Sequence, residues 1–118
     1  MATTHIFVFG SNLKGIHGAG AAKTARERHG AILGQGVGLQ GNSYAVPTKA
    51  TPYETLSLNE ISKYVMEFLD FAEQHPEYTF NVTAIGCGLA GYVPEQIAPM
   101  FTNVPSNVKL PECFLELD

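Results

Sequence analysis

The chain has 118 residues, 45% hydrophobic and 15% charged, a globular balance that sets aside disorder and fits one domain over residues 1–118 with a single core. Its net charge is -4, and its seven Lys and Arg are spread thinly from Lys14 to Lys109; with no basic stripe to neutralise a phosphate backbone, nucleic acid is not an expected partner. The two cysteines, Cys87 and Cys113, match no metal-ligand spacing and form no disulfide framework, so no metal is expected and a reducing compartment is.

The opening "MATTHIFVFG" has no basic segment, and its apolar run is too short for a leader or a membrane span, which predicts a cytoplasmic protein without membrane contact. "HIFVF" (His5 to Phe9) predicts a buried strand that ends at Gly10. "GAGAAKTARER" predicts a helix from about Ala19 to His29, with Ala22 and Ala25 on its buried face and Gly30 at the C-cap. "GVGLQ" and "SYAVPT" (Ser43 to Thr48) predict short strands. A second helix is predicted from Ser57 to about Gln74. Ser57 and Glu60 form an S-x-x-E capping box, Leu58, Ile61, Val65, Phe68 and Ala72 recur at helical spacing, and His75-Pro76 ends it. "TFNVTAIG" (Thr79 to Gly86) predicts a strand, a short helix follows from Pro94 to about Phe101, and "NVKL" or "CFLEL" supplies a last strand. This alternation predicts an α/β fold, a three-layer α/β/α sandwich with a mixed sheet.

All twelve glycines fall in three clusters, Gly10 to Gly20, Gly30 to Gly41 and Gly86 to Gly91, which predicts loops converging on one pocket. Residues Gly36 to Gly41, "GVGLQG", satisfy G-x-G-x-x-G, but "NSYAVPTK" follows where a dinucleotide fold needs a helix, so a turn between strands is expected instead. From Gly15 a Walker A loop requires lysine at position 21, where Ala21 stands, and Lys23-Thr24 comes two residues late. What survives is general: main-chain N–H groups freed by glycines at a helix N-terminus make an anion site, suited to a phosphate or diphosphate. "AIGCGLAGYVPEQIA" repeats the order of strand, glycine loop and helix start, which leaves two readings: two loops that grip a diphosphate from both sides, or two tight turns with no ligand.

At these residues the sequence resembles the macrodomain family, modules that bind ADP-ribose and related nucleotides. "GIHGAGAAKTA" (Gly15 to Ala25) is similar to the family's first binding loop, and "TAIGCGLAGYVPEQIAPMF" (Thr83 to Phe101) to the second. The nearest similarity is to the branch of the terminal ADP-ribose protein glycohydrolase, through "GAG", "SYAVPTK" and "IGCGL". The resemblance implies a ligand, ADP-ribose or a related nucleotide, free or on an ADP-ribosylated protein, and no further cofactor. It implies contacts from Gly10, Ser11, Asn12, Gly18, Ala19, Gly20 and Ala21 on one side. On the other it implies Gly86, Cys87, Gly88, Leu89, Ala90, Gly91 and Tyr92. Lys49 in "VPTK" matches the lysine that attacks the distal ribose in that branch. Ala90 stands where the branch has its assisting aspartate, and Ser11 and Asn12 stand where macrodomains commonly place an adenine-binding Asp.

Several residues carry two readings. His17 is either an acid/base or ribose contact or a polar loop residue facing water. Cys87 is a nucleophile activated at a helix start or a small residue that fits between two glycines. Tyr92 covers a ribose or packs at a helix start; Lys49 is a ligand or catalytic contact or a solvated strand-end lysine. Glu95 complements the dipole of the helix that follows Pro94. Two functions therefore stand side by side: a module that binds an ADP-ribose-type nucleotide, and a hydrolase of ADP-ribose derivatives using Lys49, His17 or Asn12. A nucleotide-free interaction domain is the third.

Overall fold

A computed structural model describes residues 4–115. Its centre is a six-stranded mixed sheet in the order β2-β3-β1-β5-β6, with β4 paired to β3 outside this path. Strand β1 (Thr4–Asn12) lies between β3 (Ser43–Thr51) and β5 (Tyr78–Val82) and is parallel to both; β6 (Val108–Lys109) continues parallel beside β5. Strands β2 (Gly38–Gln40) and β4 (Glu54–Thr55) run antiparallel to β3. Helices α1 (Gly20–Arg28) and α2 (Leu58–Gln74) make the long crossovers, and α3 (Pro94–Ile97), a 3-10 turn (Ala98–Met100) and α4 (Glu112–Leu115) close the described chain.

Alternation along the strands sorts their side chains into two clusters. Ile6 and Val8 of β1, with Tyr44 and Val46 of β3, pack in the larger core with Ile61, Val65, Phe68 and Ala72 of α2. Phe9 and Ala45, pointing the other way along the same strands, pack with Ala22 and Ala25 of α1. A central strand buried on both sides needs apolar residues at every position, which is why "IFVF" shows no polar break. Each fully buried Ile, Val or Phe of the α2 stripe is worth about 1.5–3 kcal/mol. The capping box is formed: Ser57 Oγ accepts from the Glu60 N–H, and Glu60 Oε1 accepts from the Ser57 N–H.

The structure amends the expected boundaries. β5 ends at Val82 rather than running to Gly86, because the Ile85 N–H turns back to the Thr83 carbonyl and takes the chain out of the ladder. The helix expected from Pro94 to Phe101 is one α-turn that tightens to 3-10 at Ala98. "NVKL" supplies the late strand; of "CFLEL", residues 113–115 are helical and 116–117 lie outside the described residues. "GVGLQG" leads through a turn at Gly41-Asn42 into the antiparallel β3, so the dinucleotide motif has no helix behind it.

Candidate functional site

Three parallel strands end at one place. The carboxyl ends of β1 (Gly10 to Asn12) and β3 (Thr48, Lys49) and the segment leaving β5 (Thr83 to Gly86) meet at an open cavity of about 560 Å³. β1 leads through α1 to β3 on one side, and β3 leads through α2 to β5 on the other. The strand order therefore reverses about β1, the point at which open α/β sheets leave a crevice outside the strand ends.

The cavity walls are largely main chain. One wall is residues 18–22, where the first loop enters α1; the other is residues 83–86 and 88–90. Ala19 supplies no side-chain cap, so the N–H groups of Gly20, Ala21 and Ala22 lack partners, as the first turn of any helix does until something caps it. Among the described residues, the N–H groups of Gly18, Ala19, Gly86, Gly88, Leu89 and Ala90 also make no hydrogen bond. Two rows of unpaired donors thus border one cavity, and the dipole of α1 adds positive potential to the first. Gly18 and Gly88 keep those walls bare. A Cβ on either would meet no atom within 4 Å, and neither holds a left-handed backbone, so nothing in the protein requires glycine there.

The polar side chains that line the cavity are turned to the protein's own backbone. Ser11 Oγ donates to the Gly36 carbonyl, Thr83 Oγ1 to Val8 at 2.8 Å, and Thr48 Oγ1 to Ser11 at 3.4 Å. The Asn12 amide closes its loop, donating to the Ile16 carbonyl at 2.8 Å and accepting from the Ile16 N–H at 3.1 Å. Lys49 Nζ donates to the Pro52 carbonyl at 2.6 Å. Lys49 is the one titratable side chain among the described lining residues, with no carboxylate, imidazole or thiol beside it. The arrangement provides anion donors and one cation, and no second lining group to exchange a proton with it.

Of the residues implied by the resemblance, the cavity gathers Gly10, Ser11, Asn12, Gly18, Ala19, Gly20, Ala21, Lys49, Gly86, Gly88, Leu89 and Ala90. It does not gather His17, Cys87, Gly91 or Tyr92. His17 is fully buried, edge-on to Phe9 at 5.3 Å, with Nε2 at 3.0 and 3.1 Å from the carbonyl oxygens of Ile32 and Gln35. Both neighbours are acceptors, so Nε2 carries the proton; Nδ1 has no partner. The imidazole is a strut beneath the first loop, neither a ribose contact nor a water-facing residue. Cys87 packs against the larger core, and burial first, then the neighbouring Cys113 and Glu95, pushes its thiol up. That is the reverse of an activated nucleophile. Tyr92 donates its hydroxyl to the Leu56 carbonyl at 2.7 Å and packs on the core, so it anchors the end of the second loop instead of covering a ligand.

Two wider expectations are also corrected. The second glycine cluster does not line the cavity; it lies behind the first loop and supports it. The helix after the second loop is a four-residue turn that starts at Pro94, with Glu95 in its first turn, and its N-terminus is not part of the wall. The two cavity walls are therefore one helix start facing one glycine loop. Ile16, Ala22 and the Thr83 to Ile85 segment fall within the two loops marked by the resemblance without being named there as contacts, and Thr48 and Pro52 lie outside both loops. Thr48 and Pro52 flank Lys49 and were within reach of the strand-end argument, whereas Ile16 has no signal of its own.

Both cysteines are free thiols, no cluster of His, Cys, Asp or Glu among the described residues has the geometry to hold a metal, and no helix among them is long and apolar enough to cross a membrane. No family model, curated protein or solved structure matches the chain.

Proposed function

We propose that the chain is a cytoplasmic binding module of macrodomain-like α/β/α architecture that takes up an ADP-ribose-type nucleotide, with the diphosphate held between residues 18–22 and 86–90. The sorting of α1 and α2 into separate clusters on alternate strand residues supports the layered architecture. The observation that carries the ligand is the pair of bare N–H rows, with Gly18 and Gly88 open to the cavity for no internal reason. Backbone donors in that arrangement suit a flexible, doubly charged group better than any neutral ligand. A volume of about 560 Å³ lies within the range of nucleotide-sized sites.

Hydrolysis of an ADP-ribose derivative is the second reading, and it rests on Lys49, whose ammonium borders the cavity. Ala90 leaves it without a neighbouring carboxylate, so binding without chemistry is the stronger reading. Calorimetric titration with ADP-ribose is the first test: heat and a thermal shift are expected, and their joint absence removes the nucleotide. Incubation with an ADP-ribosylated protein or a 1''-modified ADP-ribose then separates the two readings. A binder turns over neither; turnover by the wild type that disappears in Lys49→Ala makes the protein an enzyme.

A further inference from the structure

The cavity walls carry unpaired main-chain donors, and two of the side chains that line it are aliphatic and exposed. Ile16, from the first loop, and Leu89, from the second, both line the cavity while remaining 46% and 70% exposed. Each loop thus presents an aliphatic side chain at the mouth, where a planar ring leaving the centre would lie against it. The side chains able to read the hydrogen-bonding edge of a nucleobase are absent or engaged. No Asp, Glu or His lines the cavity among the described residues, and Asn12 holds the Ile16 main chain with both ends of its amide. Discrimination between an amino group and a carbonyl on a ring needs a protein donor or acceptor left unpaired by the wrong base; an aliphatic surface gives far less. The unpaired N–H groups, by contrast, are all on the two main-chain rows, which suit the anionic centre of the ligand.

Resting on the nucleotide-binding reading above, we infer that this site recognises the ribosyl diphosphate and leaves the base unread, so that purine and pyrimidine nucleoside diphosphate-riboses are taken up alike. The base gains affinity by lying on Ile16 and Leu89, and its identity does not matter to them.

The test is a titration series on the full chain with ADP-ribose, GDP-ribose and UDP-ribose, with AMP and ribose 5-phosphate as ligands that lack the diphosphate. The three diphosphate ligands are expected to bind within about threefold of one another, and the two monophosphates about tenfold or more weaker. Ile16→Ala and Leu89→Ala are expected to weaken all three by a common factor while leaving the melting temperature in place, since both side chains are exposed. A preference of about tenfold or more for one base overturns the inference and leaves the nucleotide site standing. A factor that differs between bases in either variant does the same. Absence of binding by all three diphosphate ligands overturns the site and the inference together.

Discussion

The loop at residues 30–41 and the cavity-lining parts of the loops at 10–20 and 86–91 are alike in glycine and unlike in what those glycines meet. At Gly36 and Gly41 of the first, glycine is required by contact between main chains, as it is at Gly15, which packs against Gly34 and Gln35. A Cβ at Gly36 would run into the Asn12 carbonyl oxygen and the Leu13 backbone, and one at Gly41 would come within 2.7 Å of the Gly30 backbone. The polar groups around it are paired: Gln40 accepts from the Ile32 N–H at 2.7 Å and donates to the Gln35 carbonyl at 3.2 Å, while His17 and Ser11 donate into the same loop. At the cavity the N–H groups are unpaired, and Gly18 and Gly88 face open space. A glycine-rich segment is therefore either a place where the protein approaches itself or a place where something else approaches it. Only the contacts tell which.

That contrast can be broken most directly at Gly36. Gly36→Ala sets a methyl against backbone on both sides, and a loss of about 4 kcal/mol in urea denaturation is expected. A melting temperature unchanged by this substitution would end the bracing account. Gln40→Leu comes next: it removes the buried amide that accepts from the Ile32 N–H and donates to the Gln35 carbonyl, at an expected cost of about 1–3 kcal/mol with the denaturant slope unchanged. At the cavity the sign reverses. Gly88→Ala is expected to raise stability by about 0.4–1 kcal/mol through the unfolded chain, and Gly88→Leu to lower ADP-ribose affinity by about tenfold or more without unfolding. A Gly88→Leu protein that binds as the wild type does would show that this wall meets no ligand. The smallest effect is at Cys87. Because burial raises its pKa, the thiolate fraction at pH 8 is below that of an ordinary cysteine, and alkylation followed by mass spectrometry is expected to be slower in the folded than in the urea-unfolded protein. Faster labelling in the folded state would restore the reactive-thiol reading.

The elements that were legible in the sequence are those whose signals are local. The capping box at Ser57 and Glu60, the stripe from Ile61 to Ala72 and the stop at His75-Pro76 all lie within one helix, and the structure has them where the pattern puts them. Membership of the sheet beyond Val82 was not legible, because Thr83 to Gly86 reads as strand until Ile85 turns back on Thr83. The site was half legible. Both cavity loops stand out as glycines at strand ends, but the second cluster carries the same composition and serves as a brace. The orientation of His17 and Tyr92 depends on partners fifteen and thirty-six positions away, Ile32 and Leu56, and the thiol of Cys87 is set by its burial against the core, none of which a spacing rule reveals.

The parallel pairing of β1 with both β3 and β5 has a consequence for assembly. Phe7 stands opposite Ser43 and Thr4 opposite Tyr78, so β1 gains its first partner only after the α1 crossover and its second only after the α2 crossover. Contacts this distant in sequence are costly to close early, and the two cavity walls come into register only once β5 is seated. A chain stopped before β5 therefore has an exposed "IFVF" edge and an incomplete cavity, and the nucleotide binding proposed above would require β5 to be seated.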